Sequence, residues 1–329
     1  MAWTVGVDVG GTFTDFYAAN DEKSFFEVYK TASTPSNPAN AILNGLDAMC
    51  KKFNIPMNEI ERLSHGTTVG TNALIQRRGS RVALVTTKGF RDLLEIGRQT
   101  RPHMYDLQKD HPAPLVDRKN RMELNERIGA QGEIVHAPTD ADIAQTVENV
   151  LASGAEACAI GFLFSFRNPS HEQKFATAIR ERAPGIAISV SSEVQPEFRE
   201  YERLSTTVLN AYLQPVMRDY LETLQKGVAE RAEHASLGIN QSSGGLMSVI
   251  RARDFPVRTA LSGPAAGVGG IGRILAHHNL GDLVTFDVGG TSTDIAILPG
   301  GRSGTARARE IAGHPVLAPM VDIEVIGAG

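Results

Sequence analysis

Val5-Gly6-Val7-Asp8-Val9-Gly10-Gly11-Thr12-Phe13-Thr14-Asp15 stands near the start of the chain. Far downstream, Val284-Thr285-Phe286-Asp287-Val288-Gly289-Gly290-Thr291-Ser292-Thr293-Asp294 returns with the same Asp-Val-Gly-Gly-Thr-x-Thr-Asp core. A repeat this distinctive points to two equivalent supersecondary units. Each copy is an apolar run ending in Asp, a Gly-Gly turn and a second run opening on Thr-x-Thr-Asp, which reads as a β-hairpin. Turn glycines can adopt positive φ and carry no Cβ, so consecutive N–H groups can face an anion. Gly10, Gly11, Gly289 and Gly290 have this role in the reading, and Thr12, Thr14, Thr291 and Thr293 add hydroxyl groups beside them. Asp8 and Asp287 would repel bare phosphate; they make sense if Mg²⁺, through its waters, lies between carboxylate and phosphate oxygens. The hairpins are therefore read as two jaws of a phosphate clamp, with Asp15 and Asp294 bracing them or holding metal-bound water. A single copy would suit a plain tight turn with a capping Asp equally well. Two matching copies favour the clamp.

The composition places the chain in a broad class. Its 329 residues suffice for two domains with full cores. A hydrophobic content of 42%, a charged content of 21% and a net charge of -4 are those of an ordinary globular protein. No basic excess points to nucleic acid or to an anionic membrane surface. Cys50 and Cys158 sit in apolar periodic segments without Cys-x-x-Cys spacing, and read as buried thiols in a reducing cytoplasm. Met1-Ala2-Trp3 leads straight into a strand, which leaves no room for a secretory signal, and the apolar run 157–166 is too short to span a bilayer. A cytoplasmic protein is the expectation.

Along the chain, Phe25 to Lys30 reads as a third strand after the first hairpin. Asn37-Pro38 reads as an N-cap with Pro at the first helical position, ahead of Ile42, Leu43, Leu46, Met49, Cys50 and Phe53 at helical spacing. Leu63 to Thr68 is a strand end turning into a helix that carries Asn72 to Gln76; Gly79 ends it and Val82 to Thr86 resumes as a strand. His65, Thr67, Thr68 and Asn72 thus gather where α/β folds place ligands. On residue types alone, Thr67 or Thr68 caps the helix and His65 packs. Residues 97–138 are rich in Pro, Arg and His; Arg98, Arg101, His103 and Tyr105 suit either the mouth of an anion site or a solvated loop. Glu123 to Val135 suggests a hairpin. From Asp140 a helix, strand, helix, strand series, with Ala157 to Phe162 almost wholly apolar, implies a parallel sheet segment buried on both faces. Residues 198–233 read as a long helix interrupted near Pro215, with Glu200, Glu202 and Arg203 on a solvated face. Gly263 to His277 is a helix with Gly267, Gly269, Gly270 and Gly272 in its first half. Each glycine costs about 1 kcal/mol there relative to alanine, so close approach of another helix is expected.

The paired Asp-x-Gly-Gly-Thr hairpins resemble the phosphate motifs of the actin, sugar kinase and Hsp70 superfamily, in which two ribonuclease H-like domains close over ATP. More particular stretches resemble the hydantoinase A / oxoprolinase family of ATP-using cyclic-amide hydrolases. They are 10–15, His65-Gly66-Thr67-Thr68-Val69-Gly70-Thr71-Asn72-Ala73, Thr87-Lys88-Gly89-Phe90-Arg91-Asp92, 197–203, Ser243-Gly244-Gly245-Leu246-Met247 and Leu261-Ser262-Gly263-Pro264-Ala265-Ala266-Gly267-Val268. The resemblance implies an α/β fold of duplicated ribonuclease H-like domains with an inserted α/β lobe. The first domain would take 1–200 with the insertion, a helical and connecting region 201–280, and the start of a truncated second domain 281–329. It implies ATP held between Asp8 and Asp287, with Gly263 at a helix N-terminus near the nucleotide and Thr67, Thr68 and Asn72 near substrate. His65 is the best available candidate for activating water. The implied reaction phosphorylates the oxygen of a cyclic amide or imide so that water can open the ring, and the implied partner is a second, hydantoinase B-type subunit or domain. Within the same family, the nucleotide-binding subunit of an ATP-dependent ketone carboxylase is the runner-up; a non-catalytic actin- or chaperone-like ATP switch is the rival of another class. Glu324 departs from the pattern at a position where relatives often carry His.

Overall fold

A computed structural model of the chain describes residues 2–20, 22, 24–34, 37–278, 281–288 and 293–326, the side chains of Arg273 and Ala276 excepted. The chain opens with β1 (Trp3–Val9), β2 (Phe13–Asn20), β3 (Phe25–Ala32), α1 (Pro38–Phe53), β4 (Ile60–Thr67) and α2 (Val69–Ile75). There follow β5 (Val82–Thr87), α3 (Leu93–Ile96), β6 (Arg121–Leu124), β7 (Arg127–Ile128), β8 (Ile134–His136), α4 (Asp140–Ala152), β9 (Ala157–Gly161), α5 (Ser170–Arg182), β10 (Ala187–Val190) and α6 (Ser191–Val194). The long helix α7 (Glu200–Arg231) leads to β11 (Ser236–Asn240), β12 (Leu246–Ser248), α8 (Val249–Asp254) and α9 (Ser262–His278). The remainder is β13 (Leu283–Val288), β14 (Thr293–Leu298), β15 (Thr305–Ala306), β16 (Arg309–Ile311), β17 (His314–Val316), β18 (Met320–Val321) and β19 (Glu324–Ile326). Two compact units result: 1–72 with 217–307 and 319–329, and 73–216 with 308–318. These lines differ from the sequence division at 200 and 280.

In the first unit, β1, β2 and β3 form an antiparallel meander, and β4 and β11 join β1 in parallel, giving the order β12-β11-β4-β1-β2-β3. Period-two alternation buries Trp3, Val5, Val7 and Val9 of β1 and Phe16 and Ala18 of β2 on one face. Against that face lies α1, begun where the Asn37 side chain accepts the Asn40 N–H at 3.2 Å. At Gly45 a Cβ would stand 2.4 Å from the Phe16 ring, so glycine permits this contact. The second motif copy forms β13 and β14 in the same register as the first: Asp287 opposes Asp294 as Asp8 opposes Asp15, and Val288 opposes Thr293 as Val9 opposes Thr14. Its turn residues Gly289, Gly290 and Thr291 lie outside the described residues. The glycines of α9 do not admit another helix: among the described residues a Cβ at Gly263 would meet the Asp8 carboxylate, and Cβ atoms at Gly269 and Gly272 would meet only the backbone oxygens of Gly244 and Gly301.

The second unit is built on the parallel sheet β10-β9-β5-β6. All five residues of β9 are buried, as its apolar run requires, with α4 and α5 contributing Ile143, Val147, Val150, Phe175 and Ile179 to its core. Glu123 and Leu124 belong to this sheet, and the expected hairpin is the shorter pair β7 and β8.

Helix α7 departs from its sequence reading twice. It runs unbroken through Pro215, because Leu209, Leu213, Leu221 and Leu224 around the proline are fully buried. Their packing outweighs the roughly 3 kcal/mol that an interior proline costs. Its start is not a solvated face: Arg203 is fully buried and donates to the Phe162 carbonyl at 2.7 Å and the Glu197 carbonyl at 3.0 Å.

Both cysteines are buried free thiols. Burial raises the Cys50 pKa to about 11 and that of Cys158 to about 12. A thiol reagent at pH 8 is therefore expected to modify neither in the native protein and both after denaturation; rapid native labelling would contradict the packing.

Candidate functional site

Asp8 is the penultimate residue of β1, between the antiparallel β2 and the parallel β4. Two glycines form its cradle. A Cβ at Gly66 would stand 3.1 Å from Asp8 Oδ1, 3.3 Å from the Gly263 Cα and 3.4 Å from Asn240 Nδ2, and one at Gly263 would stand 3.0 Å from Asp8 Oδ1. Gly263 is in the first turn of α9, whose N-terminal end favours negative charge. The Asp8 residue keeps a solvent-facing surface, yet the protein around its carboxylate, then Asp15 and Asp287, raise its pKa to about 6. Asp294 is likewise raised, by burial and then by Asp287. The motif carboxylates therefore act on one another, in like-charged cross-strand pairs that destabilise a sheet unless a cation is near. Asp15 is braced by Lys30 at 3.1 Å.

The first turn is held by Ser33, which the sequence reading passed over. The Gly10 N–H donates to the Phe13 carbonyl at 3.0 Å, the Ser33 hydroxyl to the Gly10 carbonyl at 2.8 Å and the Ser33 N–H to the Thr12 carbonyl at 2.9 Å. Buried Thr14 shares a 2.9 Å hydroxyl contact with Ser33 and so belongs to the scaffold. Neither Gly10 nor Gly11 adopts the left-handed conformation that a hairpin glycine suggests. Their use is room: a Cβ at Gly10 would lie 3.2 Å from the Phe13 carbonyl, and Gly11 faces open space. Thr12 is exposed beside it.

The cluster after β4 separates into core and surface. His65 is fully buried, with Nδ1 at 3.4 Å from the Val7 carbonyl and Nε2 on the Tyr220 hydroxyl. Burial lowers its pKa to about 4. A neutral ring with both nitrogens occupied and no solvent face is a core histidine, which corrects its reading as the water-activating group. Thr67 is also buried: its N–H donates to Ser262 Oγ at 3.2 Å, the Ser262 hydroxyl donates back to its carbonyl at 3.2 Å, and its own hydroxyl accepts the Val69 N–H at 3.1 Å. It caps α2 and ties it to the start of α9, and is not placed to touch substrate. Thr68 donates to the Val9 carbonyl at 3.0 Å and accepts from Asn72 Nδ2 at 3.3 Å, and Asn72 itself is exposed. Leu261, just before α9, has φ of +61° and donates its N–H to Thr71 Oγ1 at 3.3 Å, a strained entry that sets Ser262 and Gly263 in place.

Replacing Tyr220 by Phe is expected to destabilise the protein by about 1–3 kcal/mol, because His65 Nε2 is left buried without a donor. Nucleotide binding per folded molecule should be unchanged. A melting temperature equal to that of the parent would remove the buried pairing.

Residues 4–183 match the hydantoinase/oxoprolinase N-terminal region, and residues 203–329 match hydantoinase/oxoprolinase. The chain belongs to the hydantoinase/oxoprolinase family. It is 34% identical over 333 residues to the caprolactamase subunit alpha of Pseudomonas jessenii, covering 99% of this chain and 48% of that one. A solved structure of the ATP-dependent caprolactamase from the same organism superposes with a TM-score of 0.89 at 34% identity, over 99% of this chain and 48% of that chain. The 5-oxoprolinase 1 of Arabidopsis thaliana is 33% identical over 98% of this chain and 27% of its own length. A nucleotide-free acetone carboxylase structure has a TM-score of 0.88 at 24% identity, over 99% of this chain and 48% of that one, and shows the shared fold alone. This hydantoinase/oxoprolinase chain thus spans about half the length of the caprolactamase subunit it matches. Among the described residues, no helix is long and apolar enough to cross a membrane.

Proposed function

We propose that this chain is the nucleotide-binding part of an ATP-dependent hydrolase of cyclic amides, and that Asp8 and Asp287 flank the phosphates. The observation that carries the reading is the equal register of the two hairpins, which sets Asp8 opposite Asp15 and Asp287 opposite Asp294, the first pair beside an open glycine turn. The donor set suits Mg²⁺ held through its own waters: no described cluster offers three direct His, Cys, Asp or Glu ligands, and this ion commonly keeps several waters. When bound it would neutralise phosphate charge. The chain's own part is positioning: Gly11 and Thr12 leave the turn open to phosphate oxygens, Ser33 holds that turn, and Gly66 and Gly263 let the Asp8 carboxylate approach the N-terminal end of α9. Of the second cluster, exposed Asn72 is the member placed to meet a substrate, oriented by Thr68. Transfer of the γ-phosphoryl group of ATP to the amide oxygen, with ADP leaving, would make the ring carbon open to water; the amine would leave as the ring opens, and a second water would release phosphate from the acyl phosphate that remains.

The meander β1-β2-β3 followed by α1, and the second hairpin in equal register, support duplicated ribonuclease H-like domains. The relative that is the alpha subunit of a caprolactamase, about twice the length of this chain, supports a companion subunit or domain. The carboxylase reading is kept because acetone carboxylase shares the fold. Phosphate release from ATP by the full-length enzyme with its companion, across lactams, hydantoins and ketones with and without bicarbonate, tests these alternatives. Stimulation by a cyclic amide alone is expected. Dependence on a ketone with bicarbonate would favour the carboxylase, and slow turnover indifferent to every compound would favour a switch.

A further inference from the structure

The second unit contains a cavity of about 680 Å³ that no part of the nucleotide reading uses. Its walls come from residues 94–115, from the start of α7 and from the β16–β17 hairpin. The stretch 97–117 has no helix or strand, and ordered loops of that length in compact domains are usually functional. This one is locked in place. The hairpin turns through Ala312 and Gly313 at φ of +51° and +80°, and a Cβ on Gly313 would stand 2.3 Å from Pro112 of the loop. The Leu317 N–H donates to Thr206 Oγ1 of α7 at 2.8 Å, which fixes the hairpin to the helix.

The lining combines an apolar body with unbalanced negative charge. Leu94, Ile96, Leu115, Val208 and Leu209 supply the apolar part. Arg98 is spent on Glu202 through two 2.7 Å bonds, and Glu95 is paired with Arg121 at 2.8 Å. Asp110 and Glu310 also line the cavity, and neither has an ion-pair partner among the described residues. Ser205, 5% exposed, lines it too, and its hydroxyl has no hydrogen-bond partner among the described residues. Burial, then Arg77, holds the His314 pKa below its ordinary value, and the Arg77 guanidinium donates to the Ala113 carbonyl at 3.0 Å. A volume of this size is that of a small-molecule site, and two uncompensated carboxylates select for positive charge.

We propose that this cavity binds a small organic cation: a protonated amine on an apolar body, with Asp110 and Glu310 facing the ammonium group and Ser205 accepting or donating one further hydrogen bond. Calorimetric titration of the full-length protein with n-hexylamine hydrochloride, sodium hexanoate and 1-hexanol tests it. Saturable binding of one hexylamine per chain is expected, with hexanoate and hexanol at least tenfold weaker. The double variant Asp110→Asn, Glu310→Gln, at exposed positions that the fold does not depend on, should weaken hexylamine at least tenfold with an unchanged melting temperature. The cavity-filling variant Val208→Trp should abolish binding of all three. No binding of hexylamine, equal binding of hexylamine and hexanoate, or hexylamine binding unaffected by the double substitution would overturn the proposal. None of these outcomes bears on ATP turnover, which rests on the other unit.

Discussion

Replacing Asp8 by Asn is expected to lower ATP-driven turnover of the full-length enzyme by about 100-fold or more, the loss typical of removing one preorganised charge-stabilising group, with no loss of thermal stability. The two halves of this result have one cause. Asp8 is a carboxylate held against Gly66 and Gly263, with its pKa raised to about 6 by burial and then by Asp15 and Asp287. A raised carboxyl pKa means that the folded state binds the proton more tightly than the unfolded one. The stability it contributes is present below the ordinary value near 4 and is lost as pH rises through about 6. Above that pH, and without nucleotide, the Asn variant should melt at or above the parent temperature; below pH 4 the two should converge. Full turnover in the Asn variant would sink the nucleotide reading. A variant that is inactive and also markedly less stable at pH 8 would show that Asp8 supports the fold instead.

The largest expected loss of stability is elsewhere, at Glu172. This residue is fully buried in the second unit and accepts the Phe162 N–H at 2.8 Å, the Ser191 hydroxyl at 2.7 Å and the Ser192 N–H at 3.0 Å. Its charge also acts on buried Arg203, which reaches the same segment through the Phe162 carbonyl. Glu172→Ala leaves two backbone donors without partners and removes one of the two carboxylates, with Glu200, that act on the buried guanidinium. A loss of about 3–5 kcal/mol is expected, a large share of the stability of an ordinary domain. The midpoint of urea denaturation should fall accordingly. Glu172→Gln, which keeps an acceptor, should lose less. A change below about 1 kcal/mol for Glu172→Ala would mean that water replaces the lost acceptor, and that the network is not the anchor the packing implies.

What could be read along the chain was local. The two hairpins, the Asn37 cap of α1, the buried strand β9 and the burial of both cysteines each follow from period, turn residues or capping within a few positions. The influence of Asp287 on Asp8 is in keeping with two copies of one motif. Where the reading erred, distant partners decided. The burial of His65 depends on Tyr220, 155 residues away, and that of Thr67 on Ser262, 195 residues away. The polar start of α7 looked solvated because its composition is charged, yet Arg203 is enclosed by the Phe162 segment of another strand end.

The sequence by itself determined most of the elements, the duplicated hairpin motif and the family. Only the tertiary structure decided which two glycines make room for Asp8, which serine holds the first turn, and which polar residues are core. Spacing along the chain reports neighbours on the same strand or helix. The environment of a buried side chain is instead set by strand order and by helices arriving from elsewhere, and composition alone does not encode that arrangement.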